Sequence, residues 1–204
     1  ADTAFVPLDV ASLPPPGGER ARVLHDEQRV RFEHSADGPI AVVTEKHQVQ
    51  VFHAAAGDDE SNDYTKVVTH YSQTFDQIVH MSARVIGPDG HAERTLGNDD
   101  TFDAPAFPDF VLYGDDRMRG LDLPDPAPGS VIDSVIVKRQ RSPELFVFGQ
   151  MFGAEVPLRR SRLTVEVPDG FVMEHLATAQ GAPIESKPRV DKLAGLTRYT
   201  WERR

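Results

Sequence analysis

The chain has 204 residues, enough for one large domain or two small ones. Its 22 Lys and Arg against 32 Asp and Glu give a formal net charge of -10, which makes a nucleic-acid backbone an unfavourable partner. The absence of cysteine excludes disulfides, thiolate-bound zinc and a thiol nucleophile, and no apolar run approaches the ~18 residues of a membrane-spanning helix.

The first 20 residues are expected to form an N-terminal arm. They include three consecutive prolines, Pro14 to Pro16, followed by two glycines. Proline lacks the amide donor that helices and central strands need. Residues 21–204 are then predicted to form a single domain. Because the chain starts without methionine and stops just after a strand pattern, we expect it to have been cut from a longer protein.

Alternation of apolar and polar side chains predicts strands from residue 21 onward. Val30 and Phe32 alternate with charged neighbours, and the same period of two recurs over residues 79–85, 162–167 and 197–201. Residues 130–137 are instead almost continuously β-branched, which predicts a central strand covered on both faces.

Two segments are less regular. Residues 62–75 fit either strands or a helix capped by Asn62 or Asp63; strands are preferred because four of residues 65–69 are β-branched. Residues 101–116 contain two prolines and no clear period, which predicts a long ordered loop.

Turn signals separate the strand patterns. Pro-Asp-Gly occurs at 88–90 and 168–170, and Asp-Gly-Pro occurs at 37–39. Many strands joined by such reversals predict an all-β fold, a two-layer antiparallel β-sandwich with long loops and little helix.

Motifs for chemistry are absent from the sequence. The eight histidines show neither H-E-x-x-H nor a short His-x-His pair, and the acidic clusters lack the calcium-loop pattern, so solvated loops explain them better than a calcium site. Gly129-Ser130 lacks the second glycine of a nucleophile elbow, so Ser130 is interpreted as a turn residue. We therefore expect no catalytic residue, metal or cofactor in this chain.

The segment 102–117 carries the candidate binding residues. They are Phe107, Phe110, Tyr113, Asp115, Asp116 and Arg117. Aromatic side chains rimmed by charge are typical of recognition surfaces. The preferred alternative is that the rings fold back and close one end of the sandwich, because exposed apolar patches are uncommon. A second apolar group, Phe146, Phe148, Met151 and Phe152, is expected to pack in the core or cover a sheet edge.

The order of five segments resembles one bacterial family. They are residues 23–30, residues 83–90, Leu123-Pro124 with residues 128–132, residues 156–170, and the closing Tyr199-Thr200-Trp201. Together they resemble the domain-of-unknown-function family numbered 3857, over residues 20–204. The resemblance implies an all-β domain that lies N-terminal to a transglutaminase-like domain in exported bacterial proteins, without known catalysis or functional residues of its own.

Three functional hypotheses follow. The first is a non-catalytic accessory module of a periplasmic or secreted protein, which positions a downstream transglutaminase-like domain or presents its protein or peptide substrate. The second is a free-standing module that binds a glycan or peptide through residues 102–117. The third is a hydrolase with a carboxylate or histidine site, which requires a deep cleft lined by convergent ionisable groups.

Overall fold

The structure is a computed structural model that describes residues 2–52, 64–106, 115–142 and 145–204. Within these ranges the chain is built of strands, with two short 3₁₀ helices at Val10–Ser12 and Asn98–Asp100. The strands are β1 (Ala21–Ser35), β2 (Gly38–Val51), β3 (Lys66–Ser72), β4 (Asp76–Ile86), β5 (Ala92–Leu96), β6 (Phe102–Pro105), β7 (Asp116–Asp122), β8 (Val131–Gln140), β9 (Ser161–Pro168), β10 (Ala177–Ala179), β11 (Ala182–Ile184), β12 (Arg189–Leu193) and β13 (Leu196–Arg203). The predicted all-β fold is confirmed.

Eight strands form one large sheet in the order β12-β13-β9-β1-β2-β8-β4-β5. Its pairs are antiparallel except β1 with β9, which run parallel from Asp26 beside Ser161 to Arg31 beside Glu166. A parallel pair is possible here because β1 and β9 are far apart in the chain, so no tight turn fixes their relative direction. Strand β8 is central, and its first seven residues are buried, as predicted for residues 130–137.

The second layer over this sheet has two different halves. Over one half lies the three-stranded sheet β3-β7-β6, where Leu121 and Val67 pack against Val49 and Met81 of the large sheet. Over the other half lie residues 145–153 and 171–176, which belong to no strand. From these segments Phe146, Phe148 and Met173 pack against the second core cluster.

The N-terminal arm lies on the opposite face of the large sheet. Leu8, Val10 and Leu13 pack against a cluster formed by Leu24, Ile86 and Val131. The Lys46 ammonium is 2.6 Å from the Asp2 carboxylate, and the amide of Gln48 donates to the Val6 carbonyl at 2.9 Å. Residues 2–20 therefore cover the back of the sheet and leave the other face to the second layer.

The two irregular segments have different outcomes. Strand β3 confirms the preference for strands within 62–75; residues 62 and 63 lie outside the described ranges. The loop predicted for 101–116 is wrong at both ends, because Phe102–Pro105 forms β6 and Asp116 begins β7. Strand β6 tolerates Pro105 because it is an edge strand, and its register places Phe102 opposite Gly120, whose missing side chain leaves room for the ring.

Candidate functional site: an apolar groove beside a polar cavity

One face of the large sheet carries an open apolar groove of about 1730 Å³. Its floor comes from β1, β9 and β13, because residues in register on neighbouring strands face the same side. Trp201 lies opposite Leu163 in this register, and Phe32 continues the same face of β1. Phe32 is packed edge-on against Phe146 with ring centres 5.3 Å apart, which joins the floor to one wall.

The walls of the groove are residues 145–153 and 171–176, and they expose large apolar side chains. Of the eleven large hydrophobic residues exposed in the described ranges, four lie elsewhere, namely Val68, Phe75, Val190 and Leu193. The other seven line the groove: Leu145, Val147, Met151, Phe171, Val172, Leu176 and Ile184. Val172 is 90% exposed and Val147 81% exposed. Apolar side chains concentrated in this way mark an interaction surface.

A polar cavity of about 380 Å³ adjoins this groove, and Gln150 lines both. Its lining combines polar side chains from three adjacent strands of the large sheet with apolar ones such as Val49 and Ile132. Ser134 of β8 lies in register with His47 of β2, and His47 lies in register with Asp26 of β1. The row lies between the two core clusters that pack on this face of the sheet.

Asp26 is held firmly within the cavity. Its Oδ2 accepts hydrogen bonds from the Gln150 amide at 2.6 Å and from the Ser161 hydroxyl at 3.2 Å. Its Oδ1 faces Nδ1 of His47 at 3.5 Å. These contacts fix the carboxylate between β1, β9 and the 145–153 wall.

A second polar contact ties the cavity to the three-stranded sheet. The Lys138 ammonium lies 3.0 Å from the Glu45 carboxylate and donates to the Thr69 hydroxyl of β3 at 3.2 Å. Lys138 thereby neutralises an inward carboxylate and links the two layers.

The cavity does not contain an assembled nucleophile. A serine hydrolase needs a hydrogen bond from its serine to the histidine base. The structure gives no hydrogen bond between Ser134 and His47, although the two residues are opposite each other. Among the described residues, no group of three His, Asp or Glu side chains could hold a metal ion. The cavity can accommodate a small polar molecule, and the hydrolase hypothesis, which concerns a carboxylate or histidine site, stays a prediction.

The cavity residues were missed in the sequence, although a signal was present. Asp26 and Gln28 share the strand parity of Val30 and Phe32, so polar side chains stand where the pattern requires apolar ones. Polar residues at core-facing positions are expected to line a cavity or to form a network. The register that joins them to His47 and Ser134 cannot be read from local patterns.

The predicted binding residues divide into two groups. Phe107, Phe110 and Tyr113 lie outside the described residues. Asp115 accepts hydrogen bonds from the Ser72 hydroxyl at 2.7 Å and from the Thr74 amide at 3.3 Å. Its pKa is lowered, first by the side chain of Thr74 and then by that of Ser72. It thus clamps the β3–β4 turn.

Arg117 and Asp116 complete the described part of that group. Arg117 donates to Asp103 at 2.5 Å, and Tyr71 donates to the other oxygen of the same carboxylate at 2.6 Å. Burial raises the pKa of Asp103, but the bonds from Tyr71 and Arg117 outweigh it and leave the pKa lowered. Asp116 is exposed at the start of β7. Asp115 and Arg117 therefore hold local structure, and their part in ligand binding stays a prediction.

The second apolar group has a mixed outcome. Phe146 and Phe148 pack on the sheet, as expected, and their rings stack with centres 6.1 Å apart. Met151 does not pack in the core, one of the two expected roles, because it is 79% exposed. The reason is an alternation of side chains along residues 145–152, which turns even-numbered residues toward the sheet and leaves Leu145, Val147 and Met151 outside.

The fold and this face together define an all-β domain with an exposed apolar groove. The family model DUF3857, described as a domain of unknown function with a solved structure, matches residues 41–204. The chain belongs to this family, which confirms the resemblance. The match begins within β2, whereas β1 pairs along the length of β2 and is part of the same sheet. No curated protein matches the chain. Within the described ranges, no helix has the length and apolarity that a membrane crossing requires.

Three solved structures resemble the chain. A protein of Parabacteroides distasonis, described as "a putative protease", is 15% identical with a TM-score of 0.72; the likeness covers 91% of this chain and 35% of that one. A "putative nutrient binding protein" of Legionella pneumophila is 10% identical with a TM-score of 0.47, covering 91% and 63%. Aminopeptidase A of Legionella pneumophila, in complex with aspartic acid, is 10% identical with a TM-score of 0.43, covering 95% and 20%. The chain thus spans about a third of the Parabacteroides protein, and that likeness shows the fold alone.

Proposed function

We propose that this chain is a non-catalytic accessory module of an exported bacterial protein, and that its apolar groove holds a neighbouring transglutaminase-like domain of the same polypeptide in position. The single observation that carries the proposal is the concentration of seven exposed apolar side chains in one groove.

A domain of the same polypeptide suits this groove better than a transient ligand. An apolar surface of this kind promotes association when it faces water. A tethered domain covers it continuously, because the linker keeps the local concentration of the partner high. Interfaces between domains of one chain commonly combine an apolar centre with a polar rim. Here Glu174, Lys187 and Arg203 lie among the apolar lining residues.

The comparison with the Parabacteroides protein supports the same reading. This chain corresponds to 35% of that protein, so the fold occurs there with a larger remainder of chain beside it. That protein is described as "a putative protease", which is consistent with a β-domain that accompanies a hydrolytic or acyl-transfer domain.

Two features of the chain support a catalytic centre elsewhere. The sequence has no cysteine, so the thiol of a transglutaminase-like reaction would have to come from another domain. The row Asp26, His47 and Ser134 lacks the serine–histidine hydrogen bond. We therefore assign the chemistry to the partner domain.

Site-specific photo-crosslinking in the full-length gene product tests this proposal. A photoreactive phenylalanine is placed at Val147 or Val172 on the groove walls, and at Phe75 as an exposed apolar control away from the groove. We expect positions 147 and 172 to crosslink to peptides beyond this chain, and position 75 not to do so. A gene product without a further domain, or equal crosslinking from all three positions, would contradict the proposal.

A matched pair of variants gives an independent test. Val147→Asp places a charge in the groove, whereas Val190→Asp places the same charge on the edge strand β12, outside the groove lining. We expect Val147→Asp to separate the thermal unfolding of the two domains into distinct transitions, and Val190→Asp to leave a single coupled transition.

A further inference from the structure

We infer that the neighbouring domain contributes an extended strand that pairs with the backbone of residues 145–152 in this groove. This inference rests on the proposed function and specifies how the partner is held. Three observations lead to it: the backbone of the wall, the alternation of its side chains, and the shape of the groove.

The backbone of the wall has no strand partner. Within the described residues, no amide N–H of residues 145–153 donates a hydrogen bond to another part of the chain. Among the residues that the structure describes, three of its carbonyls accept a hydrogen bond, each from a side chain: Leu145 from Ser142 at 2.5 Å, Phe152 from Arg203 at 2.5 Å, and Met151 from Ser161 at 3.4 Å and Gln150 at 3.5 Å. Such a row of donors and acceptors is a template for another strand.

The side chains of the wall follow the period of an extended chain. Phe146, Phe148, Gln150 and Phe152 are partly buried, whereas Leu145, Val147 and Met151 between them are exposed. A period of two means that the segment already has the conformation that strand addition requires. At about 3.3 Å per residue, eight residues offer an edge of roughly 26 Å.

The groove leaves room for the added strand beside this wall. The floor is the large sheet, and residues 171–176 form the other wall. Within the described residues, one backbone–backbone hydrogen bond involves this wall: the Phe171 amide donates to the carbonyl of Pro168, the last residue of β9, at 3.2 Å. A strand laid between the walls would extend the second layer over the part of the sheet that lies open between these two segments.

The chemistry of the groove specifies the partner segment. Alternate side chains of the added strand would face Phe32, Leu163 and Trp201, so they should be apolar, while the intervening ones face outward. A polypeptide matches the regular spacing of backbone donors and acceptors, whereas a glycan does not. The occupant is therefore an apolar, extended segment of the partner domain.

Residue-resolved hydrogen exchange tests the inference. The amide exchange rates of residues 145–152 are compared between the full-length protein and the 204-residue chain. Pairing along one edge protects every second amide, because successive N–H groups of a strand point to opposite sides. We expect alternate amides to exchange at least about 100-fold more slowly in the full-length protein, which corresponds to about 2.7 kcal/mol of local protection.

The outcomes separate this inference from the proposed function. Crosslinks from position 147 with unchanged exchange over 145–152 would mean that the groove docks the domain through side chains alone, and would overturn the inference only. Absence of both crosslinks and protection would overturn both. Gly149→Pro provides a further test, because proline removes the amide N–H at this position. Gly149→Ala is the matched control, because it keeps the amide and its Cβ would meet no atom within 4 Å. We expect only one of these two variants, Gly149→Pro, to abolish the alternating protection.

Discussion

Replacing Arg84 by alanine should expose an uncompensated charge at the centre of the large sheet. Arg84 of β4 lies opposite Asp133 of β8, and donates from Nε at 3.1 Å and from Nη2 at 2.8 Å to the same carboxylate oxygen. The Asp133 side chain has no exposed surface, and its Oδ1 has no hydrogen-bond partner. Arg84 also lies over the ring of Phe5 in the arm, 4.1 Å from the ring centre.

The expected loss is about 3 kcal/mol in the free energy of unfolding near neutral pH. Removing one partner of a buried ion pair costs about 3–5 kcal/mol. The lower end applies because the Arg84 side chain is 25% exposed, so water reaches part of the pair. The lost contact with Phe5 accounts for about 0.5–1 kcal/mol of this loss.

The pH dependence of this loss identifies its cause. Burial raises the pKa of Asp133 above its ordinary value, against the lowering effect of Arg84. A carboxyl whose pKa is higher in the folded state favours folding when it is protonated. Its ionisation therefore lowers the free energy of unfolding as the pH rises through the folded-state pKa, and this loss disappears below the unfolded-state pKa. Without Arg84 the pKa rises further. The difference between wild type and Arg84→Ala should therefore shrink toward acid pH.

Urea unfolding of the 204-residue chain at about pH 7 and about pH 5 measures this difference. Arg94→Ala is the matched control, because Arg94 pairs with Asp100 at 2.9 Å but is 68% exposed, and an exposed pair contributes about 0–1 kcal/mol. Adding Asp133→Asn should recover part of the loss by removing the buried charge. Equal losses for Arg84→Ala and Arg94→Ala, or a loss independent of pH and of Asp133→Asn, would refute the reasoning.

Three further predictions concern other parts of the chain. Gly120→Ala should lower the free energy of unfolding by about 1–3 kcal/mol, because its Cβ would overlap the Phe102 ring. The control Gly97→Ala should change it little, because a Cβ there meets no atom within 4 Å, and chemical unfolding of both variants measures the difference. The pKa of Glu202 is held at about 2, first by hydrogen bonds from Arg162, so Arg162→Ala should raise it in a carboxyl NMR titration, and a carboxyl that stays near 2 would exclude that cause. The 204-residue chain should hydrolyse p-nitrophenyl acetate no faster than its Ser134→Ala variant, and a rate that depends on Ser134 would favour the hydrolase hypothesis.

Local patterns in the sequence predict most of the strands but not their neighbours. The alternation around Val30 reflects burial of one face of its strand, and the β-branched run of β8 reflects burial of both faces. Each pattern is a property of a single strand. Gly38 and Gly90 have φ of 113° and 84°, as the predicted turns require. The parallel pairing of β1 with β9 depends instead on contacts between distant segments, for which no local signal exists.

The candidate site was less accessible to prediction, for two physical reasons. Predicting the polar cavity requires the strand register that aligns Asp26, His47 and Ser134 across three strands. To predict the groove, one must know what packs against the outer side of residues 145–152. An alternating apolar run has the same sequence pattern whether its outer side chains face a core or water. Phe146 and Met151 have similar hydrophobicity in the sequence, and only the structure shows that one packs on the sheet while the other is exposed.

The unequal second layer connects these features. Where β3, β7 and β6 cover the large sheet, their backbones are paired with each other and Leu121 is fully buried. Where residues 145–153 and 171–176 cover it, inward rings such as Phe146 still pack. In the described residues, however, the amides of 145–153 have no hydrogen-bond acceptor, and outward side chains such as Val147 and Val172 are exposed. A layer that is packed on its inner side and unpaired along its edge gains stability from a strand that completes it. The half of the sheet beneath residues 145–153 and 171–176 is therefore the part of this fold where binding energy is available to a partner.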